Sequence, residues 1–217
     1  MRKKQDLTPL AALRRVNEGV ARDFPGESGD RQPVHTVYGG AHLFKADSSS
    51  KLGVVALTTL DEYAPDAKTL ATALNLAADV DATTVRARIV EKLRREPVED
   101  FRIDFEDGYG NRVEAEEDGH AASAAREVAA GLQAGTLPPF IGIRIKPLSK
   151  ELHRRSLRTL DIFVTTMVGA TRGKLPPNFV ITIPKLMSPG HVTAVASACA
   201  GLERRLKLKK GALNWKA

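Results

Sequence analysis

The sequence is poor in several residue types on which whole classes of protein depend. Its single cysteine, Cys199, excludes an internal disulfide framework and a zinc site built from several cysteines, and it suits a reducing cytoplasm. No apolar run approaches the roughly 20 residues of a membrane span. Residues 1–6 lead into an amphipathic stretch and not into an apolar signal core. These absences predict a cytoplasmic protein that does not bind membranes.

Aromatic residues make up only 5% of the chain, whereas basic residues are in excess and give a formal net charge of +7. Such a charge is compatible with a nucleic-acid partner, so its distribution matters. The basic residues gather at residues 2–4, 154–158 and 204–210, without a zinc finger, a helix-turn-helix or interleaved aromatics. We therefore predict solvated helix faces and no nucleic-acid binding. A basic nucleic-acid binder stays as an alternative that rests on charge alone.

Several motifs that identify common enzymes are also missing. No Gly-x-Gly-x-x-Gly follows the first predicted strand, and there is no Gly-Lys-Ser/Thr loop, which argues against dinucleotide and P-loop nucleotide binding. There is no Gly-x-Ser-x-Gly elbow of an α/β-hydrolase and no His-Glu-x-x-His of a zinc protease. Any site must therefore be built from residues scattered along the chain.

What the sequence does contain is an alternation of strand and helix patterns. The chain has 217 residues, of which 42% are hydrophobic, enough for a sizeable core. Strand patterns begin near residues 33, 101, 140 and 179, and helical patterns are predicted at 8–23, 52–63, 66–78, 84–95, 116–132, 150–168 and 188–206, with a loop at 41–51. This alternation predicts parallel βα units, in either a barrel or an open doubly wound sheet. We expect residues 1–30 to form a helix and linker, and residues 31–217 to form the main domain.

The most informative stretch is residues 101–110, an alternating run that ends in three acids and two glycines. Ile103 and Phe105 fall on one side of the predicted strand, with polar residues on the other. Polar residues at the carboxyl end of a parallel strand are where active sites are usually built. The alternative is that they are loop residues or helix caps. The acids are Asp104, Glu106 and Asp107.

The strand at residues 140–147 places cations where a covered sheet is expected. Three isoleucines share one face, so Arg144 and Lys146 share the other with Gly142. A buried arginine is costly unless it is paired, which predicts an acidic partner or an anionic ligand. Lys185 follows the next strand, and adjacent strands would bring these charges together. His35, in the first strand, is either a structural histidine or part of the same site.

These segments, taken in order, resemble one superfamily. Residues 33–38, 103–108, 142–146 and 183–185 are similar to the opening, Asp-Leu-Glu-Asp, Val-Arg-Ile/Val-Asn and Pro-Lys strands of the HpcH/HpaI aldolase and citrate lyase beta-subunit proteins, of the pyruvate and phosphoenolpyruvate type. The resemblance spans about residues 31–200. Its order and spacing carry it, since each motif alone is weak.

The resemblance implies a (β/α)8 TIM barrel and an aldolase or lyase that acts on carbon-carbon bonds of 2-oxo acids or acyl-CoA esters. It also implies a divalent metal, Mg²⁺ or Mn²⁺, and a role for Arg144 in holding the substrate carboxylate and oxo group. Lys146 stands where the superfamily commonly has asparagine, so the resemblance does not fix the choice of substrate. The residues implied to be catalytic are Arg144, Asp104, Glu106 and Asp107, with Glu106 and Asp107 in the second shell of the metal. The residues assigned to substrate binding are Arg144, Lys185, His35 and Lys146.

The chain departs from that superfamily in length. The resemblance implies that the direct metal ligands lie on strands beyond the Pro-Lys strand, and none is identified here. About four βα units are predicted where a barrel needs eight. We therefore expect the amino-terminal half of a barrel: a truncated copy, a fragment of a longer gene, or a half-barrel that forms a homo-oligomer or pairs with a complementary half. The alternative to a lyase is a non-catalytic remnant or partner subunit.

Overall fold

The computed structural model describes residues 8–26 and 29–216, so the basic cluster at residues 2–4 lies outside it. The described residues form seven helices and five strands. The chain divides into two compact units, Met1–Gln32 and Pro33–Ala217. Within the described residues, no helix combines the length and apolarity that crossing a bilayer requires.

In the first unit, the described residues contain one helix, α1, at Thr8–Asp23, where the sequence predicts one. Its large apolar side chains recur every three or four residues and so share one face of the helix. All of them are exposed: Leu10, Leu13, Val16 and Val20.

The second unit is built on a five-stranded sheet whose strands are all parallel and lie in chain order. The predicted α/β class with a parallel sheet is therefore confirmed. The four predicted strands are all present, each followed by at least one helix, and a short fifth strand that was not predicted pairs with the fourth. The strands are β1 (Thr36–Gly40), β2 (Asp100–Asp104), β3 (Phe140–Arg144), β4 (Phe179–Thr182) and β5 (Asn214–Lys216).

Six helices connect the strands, and most lie where helical periodicity predicts them. The predicted loop at 41–51 is partly wrong, since a helix already begins at Ser48. The helix predicted at 66–78 is shorter: Asp66 caps it by accepting from the Thr69 N–H at 2.7 Å, and soon after it Asn75 adopts a positive φ of 50°. The helices are α2 (Ser48–Tyr63), α3 (Ala67–Ala73), α4 (Ala82–Arg95), α5 (Glu114–Ala134), α6 (His153–Ala170) and α7 (Pro189–Arg205).

One face of the sheet is apolar and forms the core with the helices. Ile103, Ile143 and Ile181 occupy equivalent positions on β2, β3 and β4, and all three are fully buried. Phe105 and Phe163 meet edge to face at 6.3 Å between ring centroids, which joins the end of β2 to α6. Alternation along each strand places the remaining side chains on the opposite face.

That opposite face is polar and yet largely buried. The Arg102 guanidinium donates to Asp100 Oδ2 at 2.8 Å and to the Val180 carbonyl at 3.2 Å, two strands away. It passes over Gly142, the one position on β3 between them, where a Cβ atom would overlap with Arg102 Nη1. The absence of a side chain at position 142 therefore allows an arginine to lie flat on the sheet.

Candidate functional site

The candidate site lies at the carboxyl ends of β2, β3 and β4. The strand register aligns Asp104 with Arg144, and Arg144 with Thr182. Lys185 follows three residues after the end of β4. Parallel pairing therefore brings together the acids, the arginine and one of the lysines that the sequence singles out.

Arg144 and Asp104 form a bidentate pair at the centre of this site. Arg144 Nε lies 2.8 Å from Asp104 Oδ1 and Nη2 lies 2.6 Å from Oδ2. The same carboxylate accepts from the Glu106 N–H at 2.9 Å and the Gly108 N–H at 2.7 Å. Of the two partners expected for this arginine, an acidic side chain or an anionic ligand, the structure shows the acidic side chain. These four contacts hold the guanidinium in a defined plane.

The surroundings of Asp104 favour its charged form. Burial opposes this by raising the pKa, but the hydrogen bonds from Arg144 and from the Glu106 and Gly108 amides outweigh it and lower the pKa below its usual value of 3.8. The ion pair thus contributes stability at neutral pH.

A pH titration of stability checks this contribution. Because the folded pKa of Asp104 is depressed, its contribution is present above the unfolded value near 3.8 and is lost as pH falls through the folded pKa. Asp104→Asn is therefore expected to lower the free energy of unfolding by roughly 1–3 kcal/mol at pH 7, and by progressively less below pH 4. Urea unfolding at several pH values measures the difference. A difference independent of pH would contradict the proposed pairing.

The remaining nitrogen of Arg144 faces the other two acids. Its Nη1 lies 3.1 Å from Glu106 Oε2 and 3.6 Å from Asp107 Oδ2. The guanidinium also stacks on Tyr38 of β1, 4.5 Å from the ring centroid. Because Asp104 holds Nε and Nη2, Nη1 is the nitrogen of Arg144 that faces the two acids beside it.

Lys185 pairs with the other carboxylate oxygen of each of the same two acids. Its Nζ lies 2.6 Å from Glu106 Oε1 and 3.2 Å from Asp107 Oδ1. The contact with Glu106 has the largest effect on the lysine, followed by the contact with Asp107, and both raise its pKa. Its backbone is left-handed, with φ of 53°, and its side chain is 58% exposed. Lys185 is therefore the most accessible cation of the site.

Glu106 is the most enclosed of the acids that face a cavity. Its side chain is 5% exposed, and among the described residues neither carboxylate oxygen has a partner with hydrogen-bond geometry, although both lie within ion-pair distance of a cation. A cavity of about 290 Å³ opens beside Glu106, Asp107 and Lys185, bounded also by Leu152 just before α6. The site can therefore admit a small molecule.

Lys146 has a different environment from Arg144, although the sequence places both on one strand face. Its Nζ donates to the Phe105 carbonyl at 2.6 Å and the Gly110 carbonyl at 3.1 Å, and lies 3.2 Å from Glu117 Oε2. The residue is only 4% exposed. Lys146 thus holds both ends of the loop that carries Glu106 and Asp107. Its ammonium contacts three protein oxygens, and the residue also borders the cavity beside Glu106 and Lys185, so its predicted substrate contact stays a prediction.

The structure does not bring His35 to this site. His35 precedes β1, and its Nε2 accepts from the Glu99 N–H at 3.3 Å just before β2 begins. Both residues lie at the amino ends of their strands, about 16 Å of strand away from the carboxyl ends. The predicted strand at 33–38 is shifted toward the amino terminus relative to β1, which explains the misplacement.

Sequence reasoning also missed an aromatic and histidine cluster behind the acidic loop. The Tyr109 hydroxyl lies 2.8 Å from His120 Nδ1, and His42 meets the Tyr109 ring edge to face at 5.6 Å. Burial, then the nearby Glu117, raises the pKa of Tyr109 to about 12. No spacing in the sequence links His42 to His120. The role of Tyr38 could have been anticipated, since it lies near the end of a predicted strand.

Two acids of this site, Glu106 and Asp107, are the candidates for holding a divalent cation. The described residues include no group of three His, Cys, Asp or Glu side chains that could hold a metal ion. Asp104 is fully used by Arg144 and two backbone amides. Glu106 and Asp107 remain, and each of them is in ion-pair contact with Arg144 and Lys185. Since Mg²⁺ often binds through one or two carboxylates, water and ligand oxygens, these two acids suffice for a site completed by the ligand.

The fold and the site define a parallel α/β protein with a charged cluster at the carboxyl ends of its central strands. The family whose sequence profile matches residues 13–217 is DUF6986, a domain of unknown function, and the chain belongs to this family. No curated protein and no solved structure was found to match the chain.

Proposed function

We propose that this protein is a carbon-carbon lyase or aldolase of the HpcH/HpaI and citrate lyase beta type, acting on a 2-oxo acid or an acyl-CoA ester through an enolate. The observation that carries the proposal is the position of Arg144 Nη1, which faces Glu106 and Asp107 at the carboxyl ends of adjacent parallel strands. Such strand ends are where parallel α/β enzymes build their sites.

The order of the strands supports a barrel-type architecture. Strands β1 to β5 follow one another without reversal. Crossover connections between parallel strands are almost always right-handed. With strands in chain order, this rule places every connecting helix on the same face of the sheet, as in a TIM barrel. In a doubly wound sheet the strand order reverses, and helices cover both faces. We propose that β1–β5 are consecutive strands of such a barrel. In the described residues β1 and β5 each have one neighbour, so their outer edges would pair with a second copy or a complementary half.

The chemistry requires a cation at a fixed position. Cleavage of a carbon-carbon bond next to a carbonyl leaves an electron pair that delocalises onto the carbonyl oxygen as an enolate. Arg144 can stabilise that charge without exchanging a proton, because guanidinium stays protonated. Asp104 positions Arg144 through the bidentate contact. A divalent cation, Mg²⁺ or Mn²⁺, would supply a further positive charge beside the enolate, with Glu106 and Asp107 as the residues that hold it or its waters.

A non-catalytic remnant or partner subunit is the second candidate. The observation that favours it is the lack, within the described residues, of three side chains that could hold a metal ion. Three carboxylates also lie within 3.6 Å of Arg144, so its charge is already neutralised. Such a protein would keep the fold and bind no substrate.

Thermal unfolding with ligands separates the two candidates. Mg²⁺ together with pyruvate or oxaloacetate is expected to raise the Tm of the full chain by roughly 5–10 °C at concentrations about 100 times the Kd, since ligands that bind only the folded state stabilise it by mass action. The absence of any shift would favour the remnant.

Arg144→Lys tests the residue that carries the proposal. Lysine keeps the charge but loses the bidentate geometry, so pyruvate affinity in the presence of Mg²⁺ is expected to fall at least tenfold. Arg158→Lys is the matched control, because Arg158 also pairs with an aspartate, Asp118 at 2.6 Å, but lies on α6 with a side chain that is 60% exposed. Equal affinities of the two variants, measured by calorimetry, would remove Arg144 from the site.

A further inference from the structure

We propose that Lys185 competes with a divalent cation for Glu106 and Asp107, so that the cation and the anionic ligand bind with positive cooperativity. This inference rests on the proposed function and concerns the regulation of the same site. It follows from the way in which two acids bridge two cations.

The four charged groups form a closed ring of contacts. Glu106 bridges Arg144 Nη1 at 3.1 Å and Lys185 Nζ at 2.6 Å, each through a different oxygen. Asp107 bridges the same two nitrogens, at 3.6 Å and 3.2 Å. An anion that binds Arg144 or Lys185 must therefore displace a carboxylate. A cation that binds Glu106 or Asp107 must displace the arginine or the lysine.

Competition of this kind couples the two ligands. When the cation binds first, it separates the acids from Arg144 and Lys185 and leaves these two cations free for the anion. When the anion binds first, it leaves the two acids free for the cation. The second ligand therefore binds without breaking those contacts again. Because such coupling is reciprocal, each ligand tightens the other by the same factor, typically five- to 150-fold.

Lys185 is the residue of the ring whose side chain can release its contacts with Glu106 and Asp107. Arg144 is held by Asp104 and by the Tyr38 ring, and the Glu106 side chain is enclosed. Lys185, in contrast, is 58% exposed and has no other ion-pair partner among the described residues. Its side chain can swing away from the acids when a cation arrives, and then approach the ligand carboxylate. Loss of its charge should thus help the metal and harm the anion.

Calorimetric titration of the full chain with Mg²⁺ and pyruvate measures the coupling. Saturating pyruvate is expected to lower the Kd for Mg²⁺ at least fivefold, and saturating Mg²⁺ to lower the Kd for pyruvate by the same factor. In Lys185→Gln, we expect Mg²⁺ alone to bind about three- to tenfold more tightly, pyruvate more weakly, and the coupling factor to approach one.

Lys207→Gln is the matched control. Lys207 also has a left-handed backbone, with φ of 57°, but it follows α7 and is exposed to solvent, so no ligand constant should change. An unchanged or weaker affinity of Lys185→Gln for Mg²⁺ would overturn the inference, as would independent binding of Mg²⁺ and pyruvate to the unmodified chain. The latter result would leave the proposed function intact. If Mg²⁺ does not bind the unmodified chain at all, both proposals are wrong.

Discussion

Gly142→Ala is expected to destabilise the protein by about 3 kcal/mol or more, since overpacking that forces the backbone apart is costly. A Cβ at position 142 would overlap with the Val180 carbonyl oxygen and with Arg102 Nη1, and it would lie 2.9 Å from the Val180 carbonyl carbon. Val180 is paired with Gly142 across β3 and β4, so relief requires the two strands to separate. Arg102 would also lose its hydrogen bond to that carbonyl.

Chemical denaturation with urea measures this change in the free energy of unfolding, and Gly119→Ala provides the control. Gly119 lies within α5, and an added Cβ there meets no heavy atom within 4 Å. Alanine should stabilise that helix by roughly 0.5–1 kcal/mol. If Gly142→Ala were as stable as the unmodified protein, Arg102 would not lie across β3 as described.

The second large effect is expected from Lys146→Met, which should lower the free energy of unfolding by about 3–5 kcal/mol. Lys146 ties two carbonyls of the acidic loop to Glu117, a fully buried carboxylate on α5. Without the lysine, Glu117 keeps the Thr159 hydroxyl at 2.6 Å and Arg155 Nε at 3.5 Å. Removing one member of a buried ion pair leaves the other charge without a partner, and this lowers the free energy of unfolding by more than the intact pair raises it.

A double-mutant cycle tests the pairing itself. Adding Glu117→Gln to Lys146→Met removes the unpaired charge, so the double variant should be less destabilised than the sum of the two single changes by about 1–3 kcal/mol. Lys51→Met is the control, because Lys51 pairs with Asp47 at 3.0 Å on the surface and should change stability by at most about 0.5 kcal/mol. Strict additivity of Lys146→Met and Glu117→Gln would show that the two side chains do not interact.

The strands that could be predicted are those with a local signal. Ile141, Ile143 and Ile145 alternate over five residues in β3 and just after it, and this period of two is visible without any knowledge of neighbouring strands. Strand β5 has three residues, Asn214, Trp215 and Lys216, which is too few for a pattern to emerge. It forms because its backbone pairs with β4, a contact between residues more than 30 positions apart.

The same distinction explains which of the predicted site residues the structure brings together. Arg144 ends β3, so strand alternation still governs where its side chain points. Lys146 lies two residues past the end of the strand, where the pleat no longer applies, and it turns toward Glu117. For His35, a shift of the strand bounds by a few residues was enough to move it from one end of the sheet to the other. The bounds of a strand depend on its hydrogen bonds to neighbouring strands, and the local sequence does not show which residues form them.

The sequence by itself determined the parallel α/β class, and it determined that acids and an arginine follow consecutive strands, because alternation and chain order are local properties. Only the tertiary structure decided which charges meet. It assigned Asp104 to Arg144, placed Glu106 between Arg144 and Lys185, and gave Lys146 to Glu117. The reason is physical: ion pairing depends on register, burial and side-chain reach across strands, and these arise only when distant segments pack together.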